Sequence, residues 1–370
     1  MVALSDDLTN LVRELVAIES VNPDLVPSGS GEAEIARFVA AWLEDAGLRV
    51  ETVEPRRGRP SVVAVLKGGG GGRSLILNAH MDTVGGGGMA APFEPVVSNG
   101  RVYGRGAYDM KGSLAAIMVA AREAARVGLR GDLIVTAVAD EEVASLGTAA
   151  VLERFRADGA IVTEPTELRL CLAHKGFVWI EVATEGVAAH GSRADLGVDA
   201  IAGMGPILTG VARLAERLRG GPSHPMLGRG SIHASLIDGG QEMSTYPARC
   251  VVRLERRTVP GEDTASTLDE IVELTRGRRA FAKVLLERPP SEVDASSPVA
   301  LAVAAAAGEP ETVGVAYWMD MALFNAAGIP CVAYGPAGEG EHADVEWVDV
   351  ASLERCVNVY LEAAERLSGA

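Results

Sequence analysis

The sequence has little cysteine and few aromatic residues. Four cysteines occur among 370 residues, without any C-x-x-C pair, and only 4% of the residues are aromatic. This composition excludes a small disulfide scaffold, and it predicts buried thiols in a cytoplasmic protein. The cysteines are Cys171, Cys250, Cys331 and Cys356.

Basic residues and long apolar runs are also scarce. There are 34 Lys and Arg against 50 Asp and Glu, and the formal net charge is −16. Without a basic stripe, nucleic acid is not expected as a partner. No apolar run approaches the length of a membrane span, and residues 1–7 lack the charged and apolar regions of a signal peptide. Neither a membrane partner nor secretion is therefore expected.

The length and the order of apolar runs predict two domains. Short apolar runs such as residues 133–139 alternate with helical patterns such as residues 112–127 in the first half of the chain. This alternation favours an α/β domain with a mixed, mainly parallel sheet covered by helices.

The pattern changes near residue 176. From there to residue 290 the predicted order is β-α-β-β-α-β, which is typical of a ferredoxin-like α+β sandwich. A proline-bearing segment at 288–291 then returns the chain to helix and strand signals. We therefore expect residues 1–175 and 291–370 to form one catalytic domain, and residues 176–290 to form an inserted domain.

His80 follows the apolar residues 74–78, and Asp82 lies two residues later. Open α/β sheets place their ligands at strand ends. If the strand direction continues, the carboxylate of Asp82 can hold one imidazole nitrogen while the other binds a metal. Taken alone, the segment slightly favours another interpretation, a core histidine paired with a capping aspartate.

Four further segments carry candidate ligands. Asp109 stands in a glycine-rich segment before a helix, where it could simply cap the helix. Glu141 and Glu142 follow the strand at 133–139, and they could form a solvated acidic turn. Glu164 and the segment 338–344, which contains His342, each follow an apolar strand.

The combination of these segments is more informative than any one of them. Neighbouring carboxylates repel each other, and a cation relieves that repulsion. Mixed imidazole and carboxylate ligands suit zinc, with cobalt or manganese as substitutes. The sequence therefore predicts two divalent ions at one edge of the sheet.

The chain resembles the metallopeptidase family of acetylornithine deacetylase, succinyl-diaminopimelate desuccinylase, aminoacylase and carboxypeptidase G. The motifs around His80 and across residues 104–112 are the most specific parts of this resemblance. The resemblance implies a zinc-exopeptidase-like catalytic domain and an inserted lid domain that often forms a homodimer. It also implies Asp109 as the bridging ligand, Glu141 as the general base and Asp82 as the residue that orients His80. The implied metal ligands are His80, Asp109, Glu142, Glu164 and His342.

Two lid residues are implied by the same resemblance. His190 resembles the lid histidine that reaches the active site of the partner subunit and helps to hold the oxyanion. Arg257 resembles the lid arginine that binds a substrate carboxylate, although the adjacent Arg256 could take this role instead. His174 is interpreted as structural.

The resemblance implies hydrolysis of an amide bond next to a carboxylate-bearing amine. The segment 163–166, which contains Glu164, is similar to the deacetylase and desuccinylase branch, so a small N-acyl amino acid is the expected substrate. A dipeptidase or glutamate-type carboxypeptidase with the same centre is the alternative, and a non-catalytic binding protein is a third interpretation. A serine hydrolase is not expected, because no G-x-S-x-G segment occurs.

One departure from the family concerns the rim of the site. Residues 85–88 are four glycines, where relatives usually carry a proline and a tryptophan. We interpret this segment as a mobile rim.

Overall fold

A computed structural model describes residues 2–369 and the side chains of residues 6–369. It divides the chain into two compact units. Unit 1 contains residues 1–172, 293–313 and 319–370, and unit 2 contains residues 173–292 and 314–318.

The described chain contains nine α-helices and seventeen strands. The helices are α1 Val2–Ala17, α2 Ala33–Asp45, α3 Gly112–Val127, α4 Leu146–Arg154, α5 Ala200–Gly220, α6 Thr264–Thr275, α7 Pro298–Ala307, α8 Met321–Ala326 and α9 Val350–Ser368. The first nine strands are β1 Arg49–Val53, β2 Ser61–Leu66, β3 Leu75–His80, β4 Val96–Ser98, β5 Arg101–Tyr103, β6 Leu133–Val138, β7 Gly159–Val162, β8 Leu170–His174 and β9 Gly176–Glu185. The others are β10 Ser231–Gly239, β11 Arg249–Thr258, β12 Ala280–Arg288, β13 Ser291–Glu292, β14 Thr312–Val315, β15 Cys331–Ala333, β16 Gly338–Glu339 and β17 Trp347–Asp349.

The main sheet of unit 1 is mixed. Its strand order is β1-β2-β6-β3-β7-β15-β8. The neighbouring strands β6, β3, β7 and β15 run parallel, whereas β1 pairs with β2, β2 with β6 and β15 with β8 in antiparallel fashion. The predicted α/β class with a mixed sheet is confirmed, and its parallel part is the centre.

The central strands are buried along their whole length because their side chains are apolar on both faces. All six residues of β3 and all six of β6 are buried. The alanine-rich helix α3 is also buried on most of its surface, whereas α2 buries only one stripe that includes Ile35, Val39 and Leu43. A core of this kind holds the ends of the parallel strands firmly.

A second, small sheet in unit 1 has the order β16-β17-β5-β4. Its strands are only two or three residues long. Sequence patterns did not predict this sheet, because such short strands have no measurable alternation. It joins the segment before α3 to the segment before α9.

Unit 2 has the element order β9-α5-β10-β11-α6-β12, as predicted. Its antiparallel sheet has the order β10-β11-β9-β12. The two helices pack on apolar side chains of one face of this sheet, among them Val182 and Val252, through buried residues such as Ile207 of α5 and Ile271 of α6. The Asp199 side chain accepts a hydrogen bond from the Ala202 amide and so caps α5.

All four cysteines are buried, and none forms a disulfide within the described chain. Burial of the thiols is therefore confirmed. Among residues 2–369, no helix has both the length and the apolar character that a membrane span requires.

Candidate active site

Four of the candidate side chains lie at ends of the parallel strands. His80 is the last residue of β3, Glu141 and Glu142 follow β6, and Glu164 follows β7. Because these strands are adjacent and parallel, their carboxyl ends meet at one edge of the sheet. The strand order thus brings the four residues together.

Asp109 and His342 reach the same edge from turns. Asp109 lies in a π-helical turn, residues 107–111, directly before α3. It does not cap that helix, since the N-cap is Lys111 and no side chain makes a capping bond there. His342 lies between β16 and β17 and has a left-handed backbone with φ 60°, a conformation that is uncommon outside glycine and often found at functional sites.

The carboxylate of Asp109 lies between the two histidines. Its Oδ1 is 3.0 Å from Nε2 of His80, and its Oδ2 is 3.4 Å from Nε2 of His342. Each oxygen therefore faces a different imidazole. This is the arrangement that a carboxylate needs to serve two ions.

The glutamates complete the cluster. Both carboxylate oxygens of Glu142 are 3.2 Å from Nε2 of His342, and Glu164 Oε1 is 3.8 Å from Nε2 of His80. Two groups of three have ligand atoms that all lie within 4.8 Å of one another. They are His80 with Asp109 and Glu142, and His80 with Glu141 and Glu164.

Asp82 acts differently from the sequence-based expectation. Nδ1 of His80 is 2.8 Å from the backbone carbonyl oxygen of Asp82, whereas the nearest carboxylate oxygen is 3.8 Å away. The Asp82 carboxylate instead accepts hydrogen bonds from the backbone amides of Glu141 (3.1 Å) and Glu142 (3.2 Å). The expected hydrogen bond from carboxylate to imidazole is therefore absent, because those oxygens hold the turn that carries the two glutamates.

Burial and mutual repulsion dominate the electrostatics of the cluster. Burial, followed by the charge of Glu164, raises the pKa of Glu141 well above its usual range. Burial likewise raises the pKa of Glu164 to about 8, and that of Glu142 above its ordinary value, with the charge of Asp109 adding to the latter. Ionising these carboxyls together requires positive charge nearby.

The shift for Asp109 has the opposite direction. Burial acts to raise the pKa of Asp109, but hydrogen bonds from His342 and His80 outweigh it and lower the pKa below its usual range. Hydrogen bonds with Asp109 and Glu142 raise the pKa of His342 to about 10. Asp109 therefore remains a carboxylate, as the central ligand of a cation site must.

A buried network behind the cluster was not predicted. The Asn22 side chain donates to Asp82 (2.8 Å) and to Asp140 (3.0 Å). Arg59, which is 3% exposed, binds Asp140 at 2.9 Å and forms a two-pronged ion pair with Glu32. Asn22 and Arg59 lie in segments without a motif, so the sequence carried no signal for them.

Asp320 was also missed. It is buried beside the glutamates and accepts a hydrogen bond from the hydroxyl of Thr148. Burial raises the pKa of Asp320 to about 6. With a further buried carboxyl group beside the cluster, nearby positive charge would stabilise the ionised carboxyls still more.

The glycine segment, residues 85–88, makes two hydrogen bonds to other parts of the chain. The amide of Gly88 donates to Asp344 Oδ1 at 2.8 Å, and the carbonyl of Gly85 accepts from Nε of Arg105 at 2.9 Å. A Cβ on Gly88 would lie 2.7 Å from Asp344 Oδ2. These glycines allow close approach of the backbone to Asp344, and the mobile rim stays a prediction.

In unit 2, His190 is exposed on a loop that pairs with the segment around Thr245. The backbone amide of Ser192 donates to Nδ1 of His190 at 3.2 Å, and the Ser192 hydroxyl lies 2.8 Å from the same nitrogen. Nδ1 is thus an acceptor, and the proton of the neutral ring lies on Nε2.

Arg256 and Arg257 lie on opposite faces of β11. Arg256 is 2% exposed, and its charge is paired with Glu262 and Glu270. Arg257 is partly exposed, stacks on the ring of Phe177, and donates from Nε to Glu255 at 2.7 Å. Of the two side chains, that of Arg257 is the more exposed, at 32% against 2% for Arg256.

His174 is the last residue of β8 and is fully buried. Its ring is edge-on to Trp318, and Nδ1 is 2.9 Å from the carbonyl oxygen of Lys175. Burial lowers the pKa of His174 to about 4, and Nε2 makes no hydrogen bond to any described residue. This environment keeps the imidazole neutral, in agreement with a structural role.

Comparison with known proteins agrees with this arrangement. A family model described as peptidase family M20/M25/M40 matches residues 76–366, which is most of the chain. The chain belongs to this peptidase family. It is therefore a hydrolytic enzyme of the M20 type, and the resemblance inferred from its motifs is confirmed.

Three curated relatives of this M20 chain cover nearly its whole length. Acetylornithine deacetylase of Myxococcus xanthus is 32% identical, with 99% of this chain and 100% of the relative covered. Acetylornithine deacetylase of Proteus mirabilis (strain HI4320) is 30% identical, with 93% and 92% covered. N-formyl-4-amino-5-aminomethyl-2-methylpyrimidine deformylase of Bacillus subtilis (strain 168) is 27% identical, with 96% and 93% covered.

Solved structures show the same fold. Aminopeptidase PepT from Bacillus cereus superposes with a TM-score of 0.80 at 18% identity, covering 98% of each chain. The Bacillus subtilis YXEP protein, described as a dinuclear metal binding peptidase of the M20 family, superposes with a TM-score of 0.76 at 18% identity, covering 100% of this chain and 99% of that one.

Proposed function

We propose that this M20 enzyme removes an acyl group from a small N-acyl amino acid or a related carboxylate-bearing amide. The observation that carries the proposal is the cluster around Asp109, whose two oxygens face His80 and His342 while Glu142 and Glu164 flank them. Nitrogen and carboxylate donors in this number suit two divalent ions, with zinc preferred and cobalt or manganese as substitutes.

The residues fit such a pair of ions. His80, Asp109 and Glu164 would hold one ion, and Asp109, Glu142 and His342 the other. The Nδ1 nitrogen of His80 is engaged by a backbone carbonyl at 2.8 Å, which directs Nε2 into the cluster as a metal ligand requires. The raised pKa values of Glu142 and Glu164 also favour bound cations, because both carboxyls need nearby positive charge to ionise.

Two bound ions would polarise the substrate carbonyl and make a water molecule acidic enough to react near neutral pH. Glu141 takes the proton from the attacking water and then passes it to the leaving amine. Its place suits this role, since its backbone amide is held by Asp82 and its carboxyl lies beside Glu164 in a buried setting that raises its pKa. Asp82 therefore positions two residues. Its carboxylate holds the backbone of Glu141, and its carbonyl oxygen orients His80.

His190 and Arg257 supply the groups that the cluster lacks. With Nδ1 of His190 occupied as an acceptor, its Nε2–H can donate to a developing oxyanion, which is a large catalytic contribution. The guanidinium of Arg257 can bind a substrate carboxylate in two-pronged fashion. We assign unit 2 the role of a lid that dimerises and presents His190 to the partner subunit.

A deacylase is preferred to a peptidase because of the relatives. The relatives from Myxococcus xanthus (32% identical) and Proteus mirabilis (30% identical) are both named acetylornithine deacetylase, and the relative from Bacillus subtilis is named a deformylase. The aminopeptidase likeness lies at 18% identity and concerns the fold. Accordingly, the amine product is expected to carry a carboxylate and the acyl group to be small.

A substrate panel tests the proposal. Enzyme loaded with zinc, cobalt or manganese would be assayed with N-acetyl amino acids, N-succinyl amino acids and dipeptides, and release of the free amine would be measured. The expected result is hydrolysis of N-acyl amino acids with kcat/KM at least tenfold above that for dipeptides. Preferential cleavage of dipeptides would replace the deacylase by a dipeptidase, and inactivity on all three classes despite bound metal would refute both.

A further inference from the structure

Glu346 is a buried carboxylate that lies outside the predicted site. Its side chain is 1% exposed, and both of its oxygens are saturated by donors. Oε2 accepts from Nη1 of Arg105 (2.8 Å) and from the amide of Gly106 (2.9 Å). Oε1 accepts from the amides of Tyr108 (2.9 Å) and Asp109 (3.0 Å). The carboxylate therefore fixes the turn that carries Asp109 through three backbone amides.

Arg105 donates hydrogen bonds to backbone carbonyls as well as to Glu346. Besides Glu346, it donates from Nη2 to the carbonyl of Ala343 (2.8 Å) and from Nε to the carbonyl of Gly85 (2.9 Å). Ala343 directly follows His342. One guanidinium, also 1% exposed, thus binds the segment of His342 while its partner binds the turn of Asp109.

The turn around His342 is tight enough to transmit this restraint. The amide of Ala343 donates to the carbonyl of Gly340 at 3.0 Å, and a Cβ on Gly340 would lie 1.8 Å from the carbonyl oxygen of Val345. Since Gly340 and Glu346 are only six positions apart, holding Ala343 and Glu346 leaves His342 little freedom. Its position relative to Asp109 then depends on the pair Arg105–Glu346.

The two proposed ion positions differ in how their ligands are supported. His80 and Glu164 lie at ends of buried central strands, which the sheet itself holds. Asp109 and His342 lie on turns, where no long hydrogen-bonded ladder fixes them. Asp109 and His342 therefore need support from other residues.

We propose that Arg105 and Glu346 are positioning residues that set the spacing between Asp109 and His342 and thereby the affinity for the ion held by Asp109, Glu142 and His342. This inference rests on the proposed function. It assigns the pair no contact with substrate or with the reacting atoms. Outer residues of this kind change metal affinity by about 10–100-fold when they are altered.

The test compares Arg105→Lys and Glu346→Gln with two control variants. Lysine keeps the charge but cannot reach three acceptors with a planar fork, and glutamine presents an amide group to donors that need an acceptor. Arg355→Lys is the matched control, because Arg355 also donates to a backbone carbonyl, that of Ala307, at 2.6 Å. Val303→Ala shortens a buried side chain of α7 and is the control for a general loss of stability.

Ion binding would be measured by titrating the metal-free, full-length chains with Co²⁺ or Zn²⁺ against a chromophoric chelator, with metal content confirmed by mass spectrometry. We expect two ions per chain in the wild type. Arg105→Lys and Glu346→Gln should bind the second ion, which Asp109, Glu142 and His342 would hold, about 10–100-fold more weakly than wild type. The first ion should be weakened less, because only one of its three ligands, Asp109, lies on a turn that the pair supports. Both controls should bind two ions with wild-type affinities, and circular dichroism would establish that each variant is folded.

Three results would overturn the inference. Equal binding of the second ion by Arg105→Lys, Glu346→Gln and wild type would show that the pair does not position the ligands. Weakening of the second ion to the same degree in Val303→Ala would show a general effect of stability. A wild-type chain that takes up no divalent ion would refute the proposed metal centre itself, which separates that failure from the first two.

Discussion

Replacing Glu141 with glutamine separates two roles that the geometry permits. The carboxyl lies where a general base is needed, but its oxygens are also within 4.8 Å of ligand atoms of His80 and Glu164. Glutamine preserves the volume of the side chain and the backbone hydrogen bond to Asp82, and it removes only the proton acceptor. As a base, Glu141 contributes about 10²–10⁴-fold to turnover, or about 3–5 kcal/mol of activation free energy.

We therefore expect Glu141→Gln to lose at least 100-fold in kcat while it retains two ions per chain. The metal-free variant should also be at least as stable as wild type, because one member of a mutually repelling set has been neutralised. Amine release, metal content and thermal unfolding of the metal-free chains would be measured. Glu164→Gln is the matched control and should lose metal.

Loss of an ion from Glu141→Gln would refute the assignment. Glu141 would then be a ligand, and Glu142 would be the better candidate for the base. Full activity with both ions bound would leave neither role for Glu141.

Three other predictions follow from unit 2. Arg257→Lys should lower kcat/KM about tenfold or more for substrates with a free carboxylate, and it should leave kcat/KM for their esters nearly unchanged. Arg256→Lys should lower thermal stability instead. Equal losses for acids and esters would make Arg257 structural. His190→Ala should lower kcat about 10²–10³-fold with metal content intact. Mixing this variant with Glu141→Gln under subunit exchange should restore part of the activity. No recovery after proven exchange would exclude action of His190 on the partner subunit. Because the pKa of His174 falls from 6.5 to about 4 on folding, its contribution to stability is present above pH 6.5 and is lost as the pH falls towards 4, by about 3 kcal/mol. His174→Phe should remove this part of the pH dependence of urea unfolding, and an unchanged dependence would contradict the argument.

The strand ends could be read from the sequence because the physical signal there is local. Continuous apolar runs place His80, Glu142 and Glu164 at the ends of buried strands, and parallel pairing then requires these ends to share one edge. The order of elements in unit 2 was predictable for the same reason, since alternation and helical spacing change visibly near residue 176.

The supporting residues could not be predicted, because their partners are distant in the chain. Arg105 and Glu346 are 241 residues apart, and no periodic pattern links a buried charge to its counterpart at that distance. The carbonyl that orients His80 was missed for a different reason. Both the carbonyl and the carboxylate of Asp82 are oxygen acceptors two residues away, and only coordinates distinguish them.

The path of the main sheet has a consequence for the way this chain is made. Strand β15 pairs with β7, and His342 meets Glu142, so the edge that carries the acidic cluster contains residues synthesised far apart in time. On a ribosome that adds about 5–20 residues per second, all of segment 173–292 emerges between β7 and β15. Throughout that interval the nascent chain holds Glu141, Glu142 and Glu164 without the histidine that follows β15. The acidic edge is therefore completed late in biosynthesis, and a chain truncated before residue 342 would lack one of the ligands of the second proposed ion site.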